Sequence, residues 1–261
     1  MSVIAVTGGA GKVAAMIRPH LAAAGHEVRL LDLVAPAGPL APTESAAVVG
    51  VTDLQALTEA LRGADLVVHL AAHADERPWE DIRDVNVEGA HAVHEAAVRA
   101  GVRRVLAASS VHAAGYLPWD AAAEHAVPAA RPDTFYGLSK VVLEAMGSLY
   151  ADRAGQLVVS ARIMTAVERP FDARSLGTWL SAGDAARLVE AALTTTATGH
   201  HVVWGVSRNT RRPVSLAAGE AVSYHPVDDA EAYADEVDEP PVGGSTPIGG
   251  SFVDHPLGEP M

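Results

Sequence analysis

Tyr136-Gly137-Leu138-Ser139-Lys140 puts a phenol and an ammonium four residues apart, on one face if this stretch is helical. A positive charge so placed favours the phenolate. A group that ordinarily titrates at about 10 then becomes a usable base at neutral pH. Ser110, in the Ser109-Ser110 pair that closes an apolar run, supplies a hydroxyl to hold the oxygen that gives up its proton. A YxxxK spacing arises often by chance, but here it uses one of the only two lysines, Lys12 and Lys140.

A proton acceptor of this kind needs an electron acceptor beside it, and the N-terminal residues suit one. Thr7-Gly8-Gly9-Ala10-Gly11-Lys12-Val13-Ala14 follows an apolar run and opens a helical pattern. Its small residues let a pyrophosphate approach the backbone, and a helix N-terminus offers N–H groups and positive potential. Gly8, Gly11, Lys12 and Val13 are the expected contacts, although many strand-to-helix turns need glycine for packing alone. Asp32, with Leu33 beside it, lies about 20 residues further on, where a carboxylate accepts from ribose hydroxyls and repels a 2′-phosphate. That favours NAD over NADP; the plainer reading is a strand-end turn residue. Asp53, followed by Leu54, either bonds the adenine amino group or caps the next helix. Leu70, Ala71 and Ala72 are small or apolar enough for a cofactor to cross the sheet edge there, and Ile163 is expected at the same edge. Asn86, inside an apolar face, needs a polar partner if buried. It ties neighbouring strands, positions a water near the lysine, or faces solvent.

The elements that position these residues follow from the patterning. Apolar runs at Val3–Thr7, Glu27–Leu33, Ala46–Val49, Leu66–Leu70, Arg103–Ala108 and Leu157–Ile163 alternate with helical stretches, among them Ile82–Ala100 and Tyr136–Arg153. Such alternation implies a parallel sheet wrapped on both faces, and runs like Leu66-Val67-Val68 suit strands buried on both sides. The expected fold is α/β, a Rossmann-type doubly wound parallel sheet with a small C-terminal substrate-binding region. Residues 1–261 form one domain, of which about 164–261 make the cap. A helix at Asp184–Leu193, a strand at Val202–Val206 and an acidic stretch from Asp228 to Glu239 belong to that cap. Pro240–Met261 has the composition of a frayed tail, yet Phe252-Val253 within it suggests docking.

Composition narrows the function. The 261 residues carry a formal charge of −13 and no cysteine, which removes disulfides, thiolate catalysis and sulfur-ligated zinc. The histidines, His91 and His94 included, form no ligand set, so no metal is expected. An acidic chain without a basic patch is repelled by nucleic-acid phosphates and anionic membranes. No apolar run approaches the roughly 20 residues needed to span a bilayer, and Met1-Ser2-Val3 begins no basic leader, so a soluble cytoplasmic protein is expected.

Together TGGAGKVA, Asp32, HLAA, the serine pair and YGLSK resemble an extended short-chain dehydrogenase/reductase. Ala108-Ser109-Ser110-Val111-His112, Gly115-Tyr116, Arg131-Pro132-Asp133, Ser175–Trp179, Val202-Val203-Trp204-Gly205 and Gly249-Gly250-Ser251-Phe252-Val253-Asp254 resemble bacterial NAD-dependent uronate dehydrogenases along nearly the full chain. The resemblance implies oxidation of glucuronate or galacturonate at C1 to a lactone with reduction of NAD. It makes Tyr136 the proton acceptor, with Ser110 bonded to the reacting oxygen and Lys140 holding the nicotinamide ribose. Arg174 clamps the substrate carboxylate; its guanidinium fork suits that task independently, the alternative being a surface arginine paired with Asp172 or Glu168. His112 donates to a substrate hydroxyl or is a satisfied core residue, and Thr165 and Phe252 line the same pocket. Ala74, Val111 and Met164 stand where that group usually has serine, asparagine and glycine. Each lost hydrogen bond is worth about 0.5–1.5 kcal/mol, so a less hydroxylated or modified acid is expected.

Two other readings share the scaffold. A nucleotide-sugar epimerase or dehydratase needs a larger cap than the chain after Lys140 offers. A non-catalytic NAD-sensing regulator needs no tyrosine and lysine pair. A homo-oligomer is expected, with Ile82–Ala100 and Tyr136–Arg153 as the pairing helices.

Overall fold

A computed structural model describes residues 1–261. In chain order the elements are β1 (Val3–Thr7), α1 (Lys12–Ala23), β2 (Glu27–Asp32), β3 (Glu44–Val48), α2 (Leu54–Leu61), β4 (Leu66–His69), α3 (Trp79–Ile82), α4 (Glu88–Ala100), β5 (Arg104–Ser110), α5 (Phe135–Ala154), β6 (Leu157–Ile163), β7 (Thr165–Ala166), α6 (Ser175–Thr178), β8 (Trp179–Leu180), α7 (Ala182–Thr194), β9 (His200–Gly205) and α8 (Ala217–Glu220). Seven strands form one parallel sheet in the order β3-β2-β1-β4-β5-β6-β9. The chain winds one way from β1 to β3 and the other way from β4, so a crevice opens beyond the carboxyl ends of β1 and β4.

Successive residues of β1 point to opposite faces. Ile4 and Val6 join Ile17, Leu21 and Leu188 on the side of α1 and α7. Ala5 joins Leu57, Val93 and Leu143 on the side of α2, α4 and α5. Side-chain caps start the helices: Asp53, Thr134 and Ser181 accept the N–H groups of Ala56, Gly137 and Asp184 at the heads of α2, α5 and α7.

Several expected boundaries move. Ile82–Ala100 is not one helix, because a π turn over Arg83–Val87 separates α3 from α4. Its wider turn carries Asn86 inward, where it is 3% exposed. β5 runs past Ala108 because Ser109 and Ser110 pair with Arg162 and Ile163 of β6. β3 starts at Glu44 and its last four residues are exposed, since an edge strand pairs on one side only and lacks the double burial read from the sequence. The acidic stretch folds over Ala230–Glu236 as a 3-10 helix, with Tyr233 against the Trp179 ring at 5.6 Å.

The C-terminal segment lies on the body of the protein. Ile248 is fully buried among Trp119, Trp204 and Val206. The N–H groups of Ile248 and Gly249 donate to the carbonyls of Leu117 and Gly115, and a 3-10 turn follows at Gly250–Asp254. No helix is long and apolar enough to cross a membrane.

Candidate active site

The crevice has two lobes. One, of about 270 Å³, is lined by Asp32, Leu33, Val49, Val51, Ala71 and Val85 among others. The other, of about 550 Å³, is lined by Lys12, Val13, Ala74, Ser110, His112, Tyr136, Lys140 and Ile163. Gly8, Gly11, Leu70 and Ala72 line both.

The glycine turn makes the wall between the lobes. Gly8 has φ +71°, and a Cβ there would sit 2.7 Å from the Ala71 nitrogen, so the turn is pressed against the end of β4. Gly11 precedes α1 without a side-chain cap, which leaves the first-turn N–H groups for a ligand. Lys12 takes part in no ion pair. Asp32 Oδ2 accepts the Ala10 N–H at 3.0 Å and Oδ1 the Leu33 N–H at 2.7 Å, tying β2 to the turn. An uncapped helix start with a free cation on one side and a carboxylate on the other fits a dinucleotide, pyrophosphate over the turn and ribose at Asp32.

Two expected cofactor contacts lie elsewhere. Asp53 and Leu54 line neither lobe, and Asp53 Oδ1 accepts the Ala56 N–H at 3.0 Å, the capping role open to it. Asn86 lines neither lobe either. Its Oδ1 accepts the His73 N–H, and its Nδ2 donates to the His73 carbonyl and to Ser139 Oγ. Ser139 in turn donates to the Tyr136 carbonyl at 2.7 Å. Asn86 therefore joins the loop after β4 to α5; it ties no strands together and has no donor left for a water.

Tyr136 and Lys140 face the same lobe from α5. Lys140 Nζ donates to the Ala108 carbonyl at 2.8 Å and lies 5.4 Å from the phenol ring centroid. Burial dominates both titrations. It pushes Tyr136 up to about 12, aided by the charges of Asp133 and Asp75 and opposed by the hydrogen bond with Ser110. It pushes Lys140 down to about 8. The expectation that the ammonium lowers the phenol is corrected: desolvation is the largest influence on Tyr136 and raises it, opposed by the Ser110 hydrogen bond.

His112 Nδ1 lies 2.7 Å from Asp133 Oδ2, and a carboxylate only accepts, so Nδ1 carries the proton. That bond leaves Nε2 as the ring nitrogen available to a ligand in the lobe that His112 lines. Asp133 closes the Arg131-Pro132-Asp133 motif without a role assigned to it from the sequence, and three glycines make room for its carboxyl. A Cβ at Gly115, Gly249 or Gly137 would lie 1.8, 2.3 or 2.9 Å from its oxygens. Phe252 stacks on His112 at 3.8 Å between centroids and lies 6.4 Å from the Tyr136 ring. Val111 does not line the lobe; the 3-10 turn after Ser110 packs it with Trp119 and Trp204.

Arg174 is not the surface arginine of the alternative reading. Its Nε and Nη2 donate to the Ile248 carbonyl at 3.1 and 2.6 Å, and Nη1 donates to Thr165 Oγ1 at 3.1 Å. No carboxylate pairs with it, and burial pulls it below the usual guanidinium value against the charges of Asp172 and Asp133. Thr165, Arg174 and Phe252 do not themselves line the larger lobe but lie just behind its lining: Thr165 sits between Met164 and Ala166, which do line it, and Phe252 stacks on His112. Sequence reasoning also missed a buried network behind the lobe. Arg162 forms a two-pronged pair with Glu144 at 2.8 Å, and Ser109 donates to the same carboxylate at 2.6 Å.

A doubly wound sheet whose switch point carries this turn, with a buried tyrosine and lysine across the crevice, defines a Rossmann-type dinucleotide-binding protein. The chain belongs to the NAD dependent epimerase/dehydratase family, which matches residues 4–170. It is 36% identical over 237 residues to the uronate dehydrogenase of Pseudomonas syringae pv. tomato, covering 91% of this chain and 86% of that one. The glucuronic acid dehydrogenase structure from Chromohalobacter salexigens superposes with a TM-score of 0.90 at 34% identity, over 98% of this chain and 97% of that one. A Y136A mutant of the uronate dehydrogenase from Agrobacterium tumefaciens, complexed with NAD, superposes with a TM-score of 0.89 at 33% identity, over 98% of both chains.

Proposed function

We propose that the protein is an NAD-dependent dehydrogenase that oxidises a uronic acid at C1 to the lactone. The observation that carries this reading is Arg174, a half-buried guanidinium without a carboxylate partner. Backbone and hydroxyl oxygens leave its charge uncompensated, and a substrate carboxylate supplies the missing anion.

Gly8, Gly11, Lys12 and Val13 hold the pyrophosphate, Asp32 the adenosine ribose, and Leu70, Ala71, Ala72 and Ile163 the wall along which the cofactor lies. When bound, NAD supplies the hydride acceptor and a positively charged ring that favours the phenolate. Ser110 Oγ accepts the His112 N–H at 3.2 Å, and its hydrogen bond with Tyr136 keeps the hydroxyl beside the phenol, where it turns to bond the reacting oxygen. Tyr136 takes the proton of the C1 hydroxyl as that carbon loses hydride, and Lys140 holds the nicotinamide ribose. His112 hydrogen-bonds a ring hydroxyl through Nε2. Thr165 orients Arg174, and Phe252 covers the site from the tail. Ala74 and Met164 offer the sugar no hydrogen bond from the lobe they line, which favours a less hydroxylated or modified acid over glucuronate itself. Loss of the 2′-phosphate subsite to Asp32 makes NAD the preferred cofactor over NADP.

The same reading includes the cytoplasm as the site of the reaction and a homo-oligomer paired through α4 and α5. Val98, Leu138 and Leu149 are exposed on those helices.

The test is NADH absorbance with glucuronate, galacturonate, their deoxygenated analogues and the matching aldoses that lack the carboxylate. Uronic acids should be oxidised, with Arg174→Ala lowering kcat/KM for them about a hundredfold and leaving the aldoses unaffected. No NADH from any uronic acid overturns the reading; hydride held without external NADH favours an epimerase. Equal rates with glucuronate and the deoxygenated analogues overturn the preference for a less hydroxylated acid.

A further inference from the structure

Glu76 is fully buried, forms no ion pair, and lies one residue beyond Asp75, which lines the larger lobe. Its carboxylate is satisfied by backbone alone. Oε2 accepts the Tyr136 N–H at 2.9 Å, and Oε1 accepts the Phe135 N–H at 3.2 Å and the Gly258 N–H at 2.8 Å. The first two donors belong to the opening turn of α5, where a negative charge also meets the positive end of a 20-residue helix. The third belongs to the C-terminal tail. One side chain from the loop after β4 thus holds both the helix that carries the phenol and the far end of the segment that carries Phe252.

From Gly249 onward that segment is fastened by hydrogen bonds at three places. Gly249 N–H donates to the Gly115 carbonyl, the Tyr116 hydroxyl donates to the Val253 carbonyl at 3.1 Å, and Gly258 donates to Glu76. Between them Phe252 rests on His112. Only the Glu76 fastening touches α5 as well.

We infer that Glu76 is a positioning residue that keeps Tyr136 and the Phe252 strap in register, so that the site is covered when the phenol is in place. The part of this that concerns turnover rests on the dehydrogenase reading; the coupling of tail to helix does not. Glu76→Gln cannot satisfy both sides. An amide presents one acceptor, so either the Tyr136 N–H or the Phe135 and Gly258 N–H groups face a second donor.

The experiment compares Glu76→Gln and a chain ending at Pro256 with the full chain, by steady-state kinetics and by hydrogen exchange of residues 249–256. A hydrogen bond to a charged group is worth about tenfold in an equilibrium. Glu76→Gln should lower kcat and raise KM for the acid about tenfold each. The shortened chain, which keeps the α5 contacts and loses only the Gly258 donor to Glu76, should raise KM about tenfold with kcat within twofold. In both, tail exchange should be about tenfold faster. Wild-type tail exchange in either variant overturns the inference, as does a fall in thermal midpoint with KM unchanged, the result of a merely structural role. If Glu76→Gln does not fold, the shortened chain decides. If the full chain oxidises no uronic acid, the dehydrogenase reading fails, while exchange in the shortened chain still supports or overturns the coupling.

Discussion

Burial shifts both Tyr136 and Lys140 toward their neutral forms, in opposite directions on the pH scale. Lys140 falls from 10.5 to about 8, so between those values the unfolded chain binds more protons and folding stability rises with pH. Tyr136 rises from 10.0 to about 12, the folded chain keeps its proton longer, and stability falls with pH across that window. Below pH 8 the ammonium is carried into the folded protein at a cost. Lys140→Met should therefore stabilise the chain at pH 7 by about 2 kcal/mol, once the lost bond to the Ala108 carbonyl is counted, while abolishing turnover. Urea unfolding at pH 7 and pH 10 checks this, and the gain should shrink at pH 10. A variant less stable than the parent at pH 7 would show that the lysine contributes more through its hydrogen bond than its burial costs. The ammonium is thus a group that the site maintains against stability, as expected of a residue kept for chemistry.

At the scale of elements, the glycine turn and α5 were the most readable parts of the chain. Each signal is common by itself, but a glycine-rich turn with Asp32 about 20 residues on and a Tyr-to-Lys spacing of one helical turn that uses one of only two lysines support each other. The two kinds of glycine in the turn separate by experiment. Gly8→Ala demands a left-handed backbone and puts a Cβ 2.7 Å from the Ala71 nitrogen, whereas at Gly11 the nearest atom is the Gly8 oxygen at 3.1 Å. Gly8→Ala should cost about 2 kcal/mol or more and abolish NAD binding, and Gly11→Ala should cost less than about 1 kcal/mol. Thermal unfolding and NAD titration measure both, and equal effects would contradict the packing argument. What stayed hidden is non-local. Asn86 reads as one residue of a long amphipathic helix, and the π turn that aims it inward has no periodicity to reveal it. Asp133 and Glu76 are single acidic residues among the 32 Asp and Glu, and their partners lie on segments far away in sequence. Val111 reads as a pocket residue because it stands where the resembled group has asparagine, but here the tight turn after Ser110 sends its side chain into the apolar cluster of Trp119 and Trp204.

At the scale of the molecule, an acidic chain of net charge −13 is proposed to bind an acid, and the long-range field works against the encounter. Specificity then depends on a local, desolvated cation, which is why Arg174 sits beneath the Ile248 carbonyl and beside Thr165 rather than on the surface. Residues 4–170, which match the family, hold the dinucleotide crevice and Tyr136, the proposed proton acceptor. The remaining residues supply Arg174 and, through the docked tail, Phe252. Substrate choice is accordingly read from the later part of the chain, where sequence patterning is loosest and tertiary contacts decide position. The central claim is that Tyr136 removes the proton as hydride leaves the substrate carbon. Its most direct test is the single-turnover rate of NADH formation from galacturonate or glucuronate with Tyr136→Phe beside the wild type, at saturating NAD. Wild-type protein should form NADH, and the phenylalanine variant should bind NAD normally yet form it at least a hundredfold more slowly, within the range for loss of a general base. Equal rates in the two proteins would contradict the account.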